Sequence, residues 1–186
     1  MKNFNAFVDE IVAQWRSEKN AILESQGLKG ISNRKVGDSA EDYILKKISS
    51  ITPNYTAVKS KGSQTPSDIF AVANRGKYWH IMLIQVKSSQ NVNDIYKLNS
   101  SEKKVFNEFA KFLKQQINGS SVLKDYCKKS IIISTGYAGV YIDRKIERHT
   151  LKKTEYFNSF RKNMGGIKQI SVELKLNLAH KLHPKK

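Results

Sequence analysis

The sequence predicts a mixed α/β domain, a sheet flanked by helices, and three observations carry that prediction. Apolar residues recur at helical spacing in three segments, near residues 5–25, 38–52 and 101–117. Three β-rich runs lie between the second and third of these, at 55–59, 68–73 and 78–88. An isoleucine-rich run follows the third helix, at 130–135. At 186 residues the chain is long enough for one domain with a real core and too short for two comfortable ones.

The elements follow in order. In the first helix Phe7, Ile11, Trp15 and Ile22 share a face, with Asp9, Glu10, Arg16 and Lys19 elsewhere. This helix is expected to pack either on its own core or on a partner. Residues 27–37 carry the glycines, serine and asparagine of a connector. The second helix starts at Asp38 or Ser39, each a good N-cap, buries Tyr43, Ile44, Ile48 and Leu45, and stops before Pro53. A turn at 74–77 joins the second and third strands, and the run Ile81-Met82-Leu83-Ile84 marks the third as central and covered on both faces. Val105, Phe109, Phe112, Leu113 and Ile117 form the stripe of the third helix, which Asn118-Gly119 ends. Beyond it come a strand at 130–135, a turn at 136–139, a continuation at 140–143, a polar basic helix at 154–162 and an extended segment at 167–178. The expected organisation is a helical extension at 1–30, a core at 31–145 and a basic C-terminal extension at 146–186, all in one globular unit.

Charge narrows the partners. The chain holds 33 Lys and Arg against 16 Asp and Glu, a formal net charge of +17. Residues 1–50 hold 8 basic against 7 acidic side chains, and residues 51–186 hold 25 against 9. Such a body suits a phosphate-coated partner, nucleic acid before an acidic membrane surface, because turns interrupt any long basic amphipathic helix. No run approaches the roughly 20 apolar residues of a membrane span. The absence of a signal-peptide pattern and a single cysteine, Cys127, lead us to expect a cytoplasmic, intracellular protein, within a host cell if the source is viral.

The chemistry concentrates between Pro66 and Lys87. If the second and third strands pair across the turn, Asp68 and Gln85 meet at one end of the hairpin, and Gln85 and Lys87 share a face. A carboxylate, an amide oxygen and an ammonium then converge. A hard cation such as Mg²⁺ takes oxygen ligands, and Asp68, Gln85 and the Val86 carbonyl are the candidates to supply them. Lys87 is placed to orient or deprotonate an attacking water and to stabilise charge on a phosphorane-like transition state.

A helix glutamate, then Pro-x-Asp, then an apolar strand ending in Gln85-Val86-Lys87 resembles the PD-(D/E)xK nuclease superfamily. The likeness is closest to the archaeal Holliday junction resolvases and covers roughly residues 37–141. It implies a restriction-endonuclease-like αβββαβ core and hydrolysis of DNA phosphodiester bonds with Mg²⁺, for which Mn²⁺ substitutes. It also implies Asp68, Gln85, Lys87 and Glu41 as the catalytic set, with Asp68, Gln85, Glu41 and Val86 around the metal. The basic loop before the aspartate implies DNA contacts by Lys59, Ser60, Lys61 and Ser63, joined by Lys35 from the preceding connector. Branched DNA such as four-way junctions is the implied substrate, and a homodimer follows from the need to cut two strands. The sequence departs from the pattern at Gln85, usually an acid, and at Asp42, often a basic residue.

Plainer readings stand beside these. Glu41 lies three residues after Asp38, where it would also complete a capping box. The loop lysines read equally as a solvated surface. His80, His149, His180 and His183 show no paired metal spacing, with His80 read as structural, and Cys127 reads as a small buried apolar residue. The alternatives to a junction nuclease are a site-specific endonuclease, a DNA-binding protein that has lost catalysis, or an RNA-directed protein.

Overall fold

The computed structural model describes residues 4–28, 38–51, 55–60, 65–76, 78–94, 98–119 and 130–157, and the fold below is that of these residues. Three helices and five strands form a mixed α+β architecture: α1 (Phe4–Ser25), α2 (Asp38–Ile51), β1 (Thr56–Lys59), β2 (Ile69–Asn74), β3 (Tyr78–Ser89), α3 (Ser100–Gly119), β4 (Ser130–Asp143) and β5 (Arg148–Phe157). The strands lie in one sheet in sequence order. All neighbours are antiparallel except β3 and β4, which run parallel because α3 intervenes as a crossover.

Strand alternation divides the core into two layers. Phe70, Val72, Ile81, Leu83, Ile133 and Tyr137 face one side, where they pack with Phe7, Ile11 and Trp15 of α1 and with Val105, Phe109 and Leu113 of α3. Ile69, Ala71, Met82, Ile84, Val86 and Val140 face the other side, against Ala40, Ile44 and Ile48 of α2. β3 is therefore covered on both faces, as its apolar run predicts. Trp15 seals α1 to α3, its ring 5.0 Å from Phe109 edge-on and 5.4 Å from Phe112. The N-terminal helix thus packs on its own core.

Two expectations are corrected. Residues 136–139 do not turn; β4 runs unbroken through Gly136 and Gly139, held in register by β3 and β5 on its two sides. The expected basic helix at 154–162 begins instead inside a strand, since residues up to Phe157 pair with β4. Its later part, and the extended segment at 167–178, lie outside the described residues. The sheet thus continues past residue 145, into the segment expected to be an extension. Among the described residues no helix is long and apolar enough to cross a membrane.

Candidate active site at the ends of the parallel strands

Both Asp68 and Gln85 fall on the α1/α3 face of the sheet. Ile69 pairs with Ile84 and Phe70 with Leu83, so the register carries Asp68 opposite Gln85. The short segment before β2 is pinned by its own hydroxyls. Thr65 donates to the Ser67 carbonyl at 2.8 Å, Ser67 donates to the Ile69 carbonyl at 2.8 Å, and the Ile84 N–H donates to the Ser67 hydroxyl at 3.1 Å. The Asp68 N–H then bonds the Ile84 carbonyl at 2.9 Å, which extends the ladder by one residue and fixes where its carboxyl points.

That carboxyl is gripped on one oxygen. Oδ2 accepts the Val86 N–H at 2.7 Å and the Gln85 Nε2 at 2.9 Å. Burial pushes the Asp68 carboxyl up to about 7. The Val86 N–H, Lys87 and Gln85 pull it back down, and the charge of Glu41 adds to the rise. Glu41 belongs to α2, in the opposite layer, and its influence on Asp68 brings the two acids to the same end of the sheet. Lys87 follows Gln85 on the same face, but its ammonium reaches α3 and bonds Glu102 Oε1 at 2.6 Å.

Glu102 was not singled out in the sequence. Its second oxygen accepts the Asn99 N–H at 2.8 Å, and Asn99 Oδ1 accepts the Glu102 N–H at 2.8 Å. This is a capping box whose glutamate also holds the lysine. The signal was present as Asn99-x-x-Glu102 before an apolar stripe, although nothing in it pointed to Lys87.

The basic residues expected at the DNA divide. Lys59 ends β1 and pairs with Asp42 at 3.0 Å and with Glu41 at 3.7 Å. Ser60 is buried; its N–H bonds the Asp68 carbonyl at 2.8 Å and its hydroxyl lies 3.2 Å from that of Thr65. Its hydroxyl is therefore turned into the protein, where it supports the Asp68 turn. Lys35, Lys61 and Ser63 lie outside the described residues, as do His180, His183 and Cys127. Val86 meets Asp68 through its N–H, and its side chain packs in the α2 layer. At the other end of β3, His80 is buried between the Tyr55 hydroxyl and the Ser134 hydroxyl, each at 2.7 Å, and burial lowers its pKa to about 4. It is structural, as expected.

Among the described residues no group of three His, Cys, Asp or Glu side chains converges to hold a metal. Asp68, Glu41 and Gln85 nonetheless offer hard oxygen donors, two of them acids. Burial, with the charge of Glu41 added, disfavours the ionised form of Asp68, and a cation bound there would favour it. This donor chemistry fits Mg²⁺ or Mn²⁺. Comparison with family models and with curated proteins finds no match.

Proposed function

We propose that the chain is a metal-dependent DNA endonuclease of the PD-(D/E)xK type that acts on branched DNA such as four-way junctions. The observation that carries this reading is the joint placement of Asp68, just before the N-terminal end of β2, beside Gln85 and Lys87 near the C-terminal end of β3, with the charge of Glu41 felt at Asp68. Open sheets gather ligands at such strand ends.

Asp68, Glu41 and Gln85 are the residues that would hold Mg²⁺, which when bound supplies Lewis acidity toward phosphate oxygens and water. The Val86 N–H fixes the orientation of Asp68, and Gln85, whose amide nitrogen donates to Asp68, would serve as a ligand through its amide oxygen. The Lys87 ammonium stabilises negative charge as it gathers on phosphorus and helps place the attacking water. Glu102 keeps that ammonium at the site through the capping box of α3. The formal charge of +17 draws the DNA backbone toward the surface. Cutting both strands calls for a twofold dimer.

One observation favours a second reading, a DNA-binding protein without catalysis. The polar groups of the site satisfy one another: Gln85 donates to Asp68, and Lys87 is paired with Glu102. Incubating supercoiled plasmid and a four-way junction with the protein in Mg²⁺, Mn²⁺ or EDTA separates the two. The nuclease reading expects cutting with either metal and none in EDTA, with the junction outcompeting linear duplex. Binding without cutting in any metal selects the second reading, and cutting at one fixed sequence in linear DNA selects a site-specific enzyme.

A further inference from the structure

The sheet carries a second feature beside the proposed site, on the same face and one strand further toward the edge. β3 and β4 run parallel with Gln85 opposite Tyr137, Lys87 opposite Gly139 and Ser89 opposite Tyr141. Residues at matching positions of paired strands point to the same face. Tyr137 is buried beneath α1 and α3 with Leu83, which assigns Tyr141 to the face that carries Gln85 and Lys87. Tyr141 is one strand over and two residues beyond Lys87, a backbone separation of about 8 Å from ordinary sheet spacings. The position between them on β4 is Gly139, which has no side chain.

A bulge in β5 completes the arrangement. Gly139 pairs with Lys153 and Val140 with Leu151, so Lys152 is an extra residue without a partner in the ladder. Bulges re-aim side chains and recur next to active sites. Here the Lys152 ammonium lies 5.4 Å from the centre of the Tyr141 ring. Lys152 is exposed and Tyr141 half-buried, and an exposed pair of this kind adds little to folding. The opposite layer holds a comparable ring, Tyr43, but it stacks on His149 and ties α2 to β5. Tyr141 and Lys152 sit instead beside the catalytic candidates.

We propose that Tyr141 and Lys152 form a subsite for an unpaired DNA nucleotide adjoining the bond to be cut. This inference rests on reading the Asp68 region as a nucleic-acid site. Lys152 covers one face of the Tyr141 ring, and a base that displaces it stacks on that face while the ammonium meets the adjoining phosphate, the combination by which single strands are held without regard to sequence. A base in a duplex is already stacked on its neighbours and cannot take that place. The subsite therefore selects DNA with an unpaired nucleotide beside the cut, as at a splayed branch or a single-stranded tail.

The test is fluorescence anisotropy with the full chain in Ca²⁺, using a labelled blunt duplex and the same duplex with a short unpaired thymidine tail. The parent should bind the tailed DNA more tightly. Tyr141→Leu should lose about tenfold on the tailed DNA and little on the blunt DNA, and Tyr141→Phe should keep the preference. Lys152→Gln should weaken both and flatten the salt dependence by about one counterion. A parent without tail preference, or a Tyr141→Leu variant that binds the tail like the parent, overturns the proposal. Cleavage of the tailed DNA in Mg²⁺ keeps the two readings apart. A parent that prefers the tail but cuts nothing upholds the subsite and removes the nuclease. A parent that cuts while Tyr141→Leu keeps full tail binding removes only the subsite.

Discussion

At the scale of single residues, the site turns on a carboxyl that burial keeps protonated to about pH 7. The unfolded chain releases that proton near the ordinary aspartate value, so between the two the folded state holds a proton that the unfolded state lacks. The stability that Asp68 contributes is therefore fully present below about pH 4 and is lost as the pH rises through about 7. His80 works in the opposite sense, because its folded pKa is lowered to about 4 and acidification favours the unfolded chain. Comparing the parent with Asp68→Asn cancels the histidine. In EDTA the variant should gain several degrees in Tm over the parent between pH 5 and pH 8, and Mg²⁺ at pH 8 should raise the parent and not the variant. A difference that does not change with pH would mean that Asp68 is ordinarily acidic. Glu102 makes a separate point. Glu102→Gln keeps an acceptor for the Asn99 N–H, and hence the helix start, but removes the anion that faces Lys87. Turnover should fall at least tenfold with KM little changed, because the interaction lost is one that places the lysine in the transition state. A variant with parental turnover would show that Lys87 needs no such partner.

At the scale of elements, α1 belongs to the core. Trp15, Phe7 and Ile11 are almost fully buried, and the tryptophan packs against two α3 phenylalanines. Trp15→Ala should lower stability by about 3–5 kcal/mol in urea unfolding. A loss within error would instead make α1 a detachable extension. Elements that carry their own period were legible in the sequence: the stripe of α1, the stripe of α3 and the apolar run of β3 all form where the residues place them. The failures have a different physical source. Gly136 and Gly139 read as a turn because local chemistry favours one, but β3 and β5 on either side impose extension on β4. β5 read as polar and in part helical because its Arg148, Lys152 and Lys153 give no alternating apolar pattern. In the site, Asp68 and Gln85 were legible because one hairpin sets their meeting. The partner of Lys87 was not, since Glu102 reaches it only once the next helix has docked. Ser60 was read as surface because a serine among lysines gives no sign of burial, whereas the Asp68 turn closes over its hydroxyl.

At the scale of the whole molecule, the two layers bring α2 and the β2–β3 hairpin together at one end of the sheet. Acids from opposite layers thus come close enough for Glu41 to influence Asp68. The sequence carries an excess of basic residues beside these two acids, which on the proposed reading lets one chain attract a polyanion and keep carboxyls for a cation. On the proposed reading, binding and cutting should separate on mutation, because many basic residues would gather the DNA while the chemistry would rest on a few side chains. The most direct test is the rate of DNA cleavage in Mg²⁺ by the parent, Asp68→Ala and Lys87→Ala, with the affinity of each for the same DNA measured in Ca²⁺. The account predicts that the parent cuts, that each variant loses at least a hundredfold in rate, and that all three bind within a few-fold of one another. Cleavage by either variant at close to the parental rate would contradict it.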